Sequence, residues 1–113
     1  MNTKQLYRIR KLLAERLMIW HTKGDRITCY YYDKDDRRTM TIRNWWPDWK
    51  FNGQIWWVID EMAKLGYLMK MHNDKDNWLV IFKNEHRECS GVHSDPCLAI
   101  LMAVMTTLGL SWK

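Results

Sequence analysis

The chain has 113 residues, 47% of them hydrophobic and 13% aromatic, with eight tryptophans, so it is too apolar for a disordered segment and long enough to bury a core without disulfides or metal. Its formal charge is +5, unevenly spread: residues 1–50 hold twelve Lys/Arg against six Asp/Glu, or +6, while residues 51–113 hold six against seven, or −1. A basic front half suits an acidic partner, whether nucleic acid, an anionic protein face or a membrane surface.

The length fits one domain spanning 1–113. Cys29, Cys89 and Cys97 are odd in number and irregular in spacing, which suits a reducing cytoplasm rather than a disulfide framework. Met1-Asn2-Thr3-Lys4-Gln5 leads into a charged helix with no secretory leader. The one long uncharged stretch, Pro96 to Trp112, is seventeen residues and contains Thr106, Thr107 and Ser111, so it reads as a buried core helix and no membrane contact is expected.

In chain order, Leu6, Ile9, Leu13, Leu17 and Trp20 recur at steps of three and four and predict one amphipathic helix over 3–20. Lys4, Arg8, Lys11 and Glu15 fall on another face, whose three cations can track phosphates although a solvated face is the commoner role of such a stripe. His21 to Asp25, with Gly24, reads as a stop and a loop. Arg26 to Asp33 alternates as a strand, with Thr28, Tyr30 and Tyr32 on one side, and Arg37 to Trp45 returns as the second arm of a hairpin. The outer face of that hairpin carries threonines, tyrosines and arginines.

Trp45-Trp46-Pro47-Asp48-Trp49-Lys50-Phe51-Asn52 crowds three tryptophans and a phenylalanine ahead of a helix predicted over 53–65. Asn52 is placed as its N-cap, with Phe51 and Trp56 as the two halves of a hydrophobic staple. Ile55, Val58, Ile59 and Met62 form the core stripe, whereas Trp57 falls on the wet face beside Asp60 and Glu61. Gly66 as C′ and Tyr67 as C″ close the helix in a Schellman arrangement. Strands follow at 67–73, 78–83 and 87–93. The second is apolar on both faces and therefore central, and the third, with Gly91 inside it, is an edge or carries a bulge. Asp95 caps a final helix with Pro96 at its first position, in which Ala99 and Ala103 allow close approach to the sheet. The sum is an α+β fold of order α-β-β-α-β-β-β-α, an antiparallel sheet packed against helices in an α/β/α-type sandwich.

No catalytic set is assembled. There is no nucleophile elbow and no glycine-rich phosphate loop, so an enzyme is not expected, nor is a cofactor. His86, Cys89, His93 and Cys97 have zinc-binding side chains, but not the close Cys and His pairs of the familiar fingers, and no metal is expected. The acidic turns at Asp33 and Asp74 lack the ligand pattern of calcium loops. The α-β-β-β-α order from residue 53 shares its sequence of elements with double-stranded RNA-binding domains. Their phosphate-gripping lysines at the start of the last helix are replaced by Ser94-Asp95-Pro96-Cys97-Leu98.

Three stretches resemble the small phage and prophage proteins of the phage ABA-sandwich family. They are Lys11 to Trp20, then Trp46 to Asn52 with Trp57-Val58-Ile59-Asp60-Glu61-Met62, and His93 to Ile100. The chain departs from the family at Asn52-Gly53, where Ser or Thr followed by Asp is usual, and at Trp56-Trp57, where the family has an alanine pair. The resemblance implies a small accessory protein made in the cytoplasm of an infected bacterium, with no catalytic or ligand residue to carry over. Proteins of that kind commonly bind a host protein, anti-defence inhibitors of CRISPR nucleases among them. The residues expected to touch such a partner are Trp45, Trp46, Trp49 and Trp57 beside the basic Arg37, Arg38 and Arg43. For Trp45, Trp46 and Trp49 a core lid is the competing role. The alternative is a nucleic-acid-binding module, double-stranded RNA-binding-like, gripping through Lys4, Arg8 and Lys11 together with Arg37, Arg38 and Arg43.

Overall fold

A computed structural model describes residues 2–30, 37–42, 45 and 54–111, with the backbone alone at Cys29, Tyr30 and Arg37. The chain divides into two units, Met1–Trp46 and Pro47–Lys113. Each unit contains one three-stranded antiparallel sheet, β1-β2-β3 in the first and β4-β5-β6 in the second.

In the first unit, helix α1 spans Thr3–Leu12 and is closed at its start by a capping box. Asn2 Oδ1 accepts from the Gln5 N–H at 2.9 Å, and Gln5 Oε1 accepts from the Asn2 N–H at 3.0 Å. The single helix expected over 3–20 does not persist. At Leu13 it widens into a π-helical turn, Leu13–Leu17, in which the Met18 N–H reaches the Leu13 carbonyl at 2.9 Å. Ile19 then turns left-handed (φ 56°), a strained conformation for a β-branched residue, while its side chain is 73% exposed. The apolar stripe survives the break, with Ile9, Leu13, Ala14, Leu17 and Trp20 all buried.

The sheet of this unit has one strand more than the sequence led us to expect. His21–Lys23 is not a loop but a short strand, β1, paired with β2 (Arg26–Tyr30), which pairs in turn with β3 (Arg37–Thr41). Gly24 (φ 57°) opens the two-residue turn between β1 and β2, a position that glycine fills without steric cost. Register then sorts the faces. Thr22, Ile27 and Met40 share one face, where Ile27 is fully buried and the Thr22 hydroxyl donates to the Glu15 carboxylate on the π-helical turn. That face is the one turned toward the helix. Beyond β3, Ile42 and Trp45 are both fully buried, and the Trp45 ring meets Trp20 edge to face, centroids 4.8 Å apart.

The second unit runs α2 (Ile55–Lys64), β4 (Leu68–Asp74), β5 (Asn77–Lys83), β6 (Glu88–His93) and α3 (Pro96–Thr107), the order expected from the sequence, with β5 central. Helix α2 starts two residues later than expected. Its N-cap is Gln54, with no side-chain capping bond, while Asn52 and Phe51 lie outside the described residues. At its other end the Schellman closure forms as the sequence implied. Gly66 (φ 92°) donates to the Ala63 carbonyl at 2.9 Å, and Tyr67 donates to that of Met62 at 3.1 Å. The same motif, not foreseen, ends α3: Gly109 (φ 68°) donates to Thr106 and Leu110 to Met105.

Asp95 caps α3, its carboxylate accepting from the Leu98 N–H at 3.1 Å, and Pro96 takes the first turn. Cys97, Ala99, Ile100, Leu101, Ala103, Val104 and Met105 are buried along this helix, and Val80 and Phe82 are buried on the central strand. Gly91 on β6 is no bulge, because its register with Val80 is continuous. A Cβ there would stand 2.5 Å from the Ala103 nitrogen and 2.6 Å from the Ala99 oxygen. The two alanines do bring the helix backbone onto the sheet, and Gly91 is the hollow that receives it.

Candidate functional site

The aromatic set expected to face a partner is redistributed by the fold. Trp45 is fully buried against Trp20, so of its two possible roles it takes the core one and leaves the contact set. Trp46, Trp49 and Arg43 lie outside the described residues, and of Arg37 only the backbone is described. Trp57, expected on the wet face, is half-buried and engaged with a neighbouring group. Its neighbour Trp56, expected to staple the helix start, is instead 57% exposed.

Helical geometry explains why the sequence could not separate these two. At about 100° per residue, Trp56 and Trp57 flank the Ile55–Val58–Met62 stripe on opposite sides at nearly equal angles, so only neighbouring elements decide which one is covered. Glu61 and Lys64 pair at 3.0 Å on this helix, and the hydrogen bond and charge of Glu61, with a smaller contribution from Asp60, raise the Lys64 pKa. Leu65, 55% exposed, and Leu68, 75% exposed, follow at the end of α2 and the start of β4. By register Leu68 and Lys70 share the β4–β6 face opposite the buried Val80 and Phe82, together with half-buried Leu79 and Ile81 and exposed Val92.

On α1, Lys4 and Arg8 are exposed and Lys11 is half-buried, with Arg8 already engaged by a neighbour. Burial pushes the Arg10 guanidinium below its ordinary pKa. Arg38 is exposed, also engaged, and lies by register on the Ile27 and Met40 side of its sheet. The outward side holds a set that the sequence alone did not assemble. His21, Lys23, Arg26 and Thr39 are exposed there, with Thr28 and Thr41 half-buried among them. Lys23 stands directly opposite Arg26 across the β1–β2 pair, and neither meets a described carboxylate. The missing signal was β1, whose His-Thr-Lys lacks the apolar alternation that marks a strand.

The four zinc-capable side chains do not converge. His86 lies in the β5–β6 turn, the Cys89 Sγ accepts a weak hydrogen bond from Arg87 at 3.7 Å, the His93 Nδ1 accepts from the Asp95 N–H at 2.9 Å, and Cys97 is buried in α3. Among the described residues no three His, Cys, Asp or Glu side chains gather as metal ligands, and no helix is long and apolar enough to cross a membrane. At the start of α3, where double-stranded RNA-binding domains place lysines, the Asp95 carboxylate occupies the helix N-terminus instead.

No family model and no curated protein matches the chain. Among solved structures it is similar to a crystal structure of a phage protein from Bacillus cereus ATCC 14579, with a TM-score of 0.69 over 98% of this chain and 94% of that one, at 17% identity. At that identity the likeness is one of fold.

Proposed function

We propose that this chain is a non-enzymatic accessory protein of a phage or prophage, of the phage ABA-sandwich type, that acts in the cytoplasm of the infected bacterium by binding a host protein. A component of an anti-phage defence system, such as a CRISPR nuclease, is the partner we would test first. The observation that carries the reading is Trp56, a large aromatic held on a regular helix with more than half its surface in solvent. Tryptophan is the residue most enriched at the energetic centres of protein interfaces. Leu65, Leu68 and Val92 add exposed apolar surface to the same unit. The fold shared with a Bacillus cereus phage protein supports the mobile-element origin.

Retention of a partner from infected-host lysate, compared between the wild type and Trp56→Ala, tests the reading. The variant should keep the far-ultraviolet circular dichroism spectrum and lose the partner. Equal retention by the folded variant, or no partner for either protein, would overturn it. Trp46, Trp49, Arg38 and Arg43 are the next residues to substitute.

A further inference from the structure

We infer that the outward face of the β1–β2–β3 sheet is a docking surface for the phosphodiester backbone of nucleic acid, with Lys23 and Arg26 as its central cations. This surface lies in the first unit and does not depend on the protein-binding role of Trp56.

Three observations lead there. First, the face is fixed by register rather than by side-chain drift. Lys23, Arg26 and Thr41 form one cross-strand row, and His21, Thr28 and Thr39 form the next, about 6.8 Å further along the strands. Second, the composition of the face is one-sided. Its described side chains are two fixed cations, a histidine and three threonines, with no acid among them. Of the acids nearest in sequence, Glu15 holds the Thr22 hydroxyl on the opposite face, and Asp25 lies in the turn between the two cations and forms no ion pair with either. Third, the two cations face each other at a directly paired position, where like charges repel and lower stability. A surface that served solubility alone would interleave the two signs. A cation pair that meets no described carboxylate, next to a tight turn, is matched when a polyanion lies across it.

The chemistry of the face favours phosphate over carboxylate. Arg and Lys beside threonine hydroxyls are the usual side-chain contacts to phosphate oxygens. Two rows of donors on one sheet face can follow successive phosphates of one strand, whereas an acidic protein would need a carboxylate pattern matched to both rows. Charge in the chain at large points the same way, with twelve Lys/Arg against six Asp/Glu in residues 1–50. The contacts are to backbone, so binding is independent of base sequence and strongly salt-dependent.

The test uses the full chain and fluorescence anisotropy with a labelled single strand and a labelled duplex of mixed sequence, each as DNA and as RNA. Binding is measured between about 50 and 200 mM salt. Losing two phosphate contacts should flatten the log–log salt slope of Lys23→Ala/Arg26→Ala by about 1.8 for duplex and about 1.4 for single strand. For duplex this means that the wild type loses about tenfold more affinity than the variant across that fourfold salt range. Lys75→Ala, in the β4–β5 turn, should keep the wild-type slope, and Lys23→Arg/Arg26→Lys should keep it too. Whichever of the four probes binds most tightly identifies the natural source of the backbone. Absence of binding at the lower salt, or a slope unchanged in the double alanine variant, would overturn the proposal. Displacement of the nucleic acid by poly-glutamate of equal charge at equal concentration would also overturn it and assign the face to an acidic protein.

Discussion

Gly91→Ala tests the contact on which the second unit depends. The added methyl would sit 2.5 Å from the Ala103 nitrogen, 2.6 Å from the Ala99 oxygen and 3.0 Å from the Met102 Cβ, whereas ordinary van der Waals contact begins near 3.4 Å. Two of those three atoms are helix backbone, so no rotamer change relieves the clash and α3 must withdraw by roughly 1 Å. A gap of that size forfeits a quarter to a half of the local dispersion attraction. The withdrawal acts where Ala99, Ile100, Ala103 and Val104 are fully buried. Overpacking of a rigid site costs about 1–3 kcal/mol, and the backbone identity of the clashing atoms places this substitution at the upper end, about 3 kcal/mol. At roughly 4 °C per kcal/mol for a chain of this length, Tm should fall by about 12 °C. Urea unfolding followed by circular dichroism and by tryptophan fluorescence gives the free energy directly. Ala103→Gly in the same background should give no rescue, since the offending atom is the main-chain nitrogen. A loss under about 1 kcal/mol, or a full rescue by that second change, would refute the close approach.

Other substitutions separate strain, burial and exposure. Gly66→Ala meets open space, so its cost, about 1–2 kcal/mol, should come from the left-handed backbone alone, and replacement by Asn should cost less. Ile19, left-handed and exposed, should give the opposite sign, with Ile19→Gly or Ile19→Asn raising stability by about 0.5–1 kcal/mol in the same urea titration. Trp45→Ala should cost about 3–5 kcal/mol and Trp56→Ala less than about 0.5, so equal losses would mean that core and surface have been exchanged. Asn84 Oδ1 accepts from the N–H groups of His86 and Arg87 at 2.8 and 2.7 Å, and Asn84→Ala should lose about 1–2 kcal/mol by opening the β5–β6 turn, measurable as faster amide exchange at Glu88 and Cys89.

The amino-acid sequence by itself determined the class of the fold and, in the second unit, the order of elements, because those rest on local chemistry. Asp95-Pro96 starts a helix and Gly66 ends one through bonds within a few residues, and the two-sided apolar run Trp78 to Phe82 belongs at the centre of its sheet wherever that sheet lies. Even the Ala99 and Ala103 approach was legible, since small residues four apart leave only one helix face that backbone can reach. What the tertiary structure decided was everything set by a partner distant in the chain. The helix over 3–20 breaks where Glu15 and Thr22 bond and Trp20 meets Trp45, and neither contact has a periodicity to betray it. The strand at His21–Lys23 exists because Arg26–Tyr30 supplies its ladder, not because its three polar residues favour one. Trp56 and Trp57 were equivalent on the helix wheel until neighbouring elements covered one of them. The same holds for the cations: the net +6 of residues 1–50 was countable from composition, but the alignment of Lys23 with Arg26 on one open face required the register of the sheet, because charge is additive along a chain and a binding surface is not.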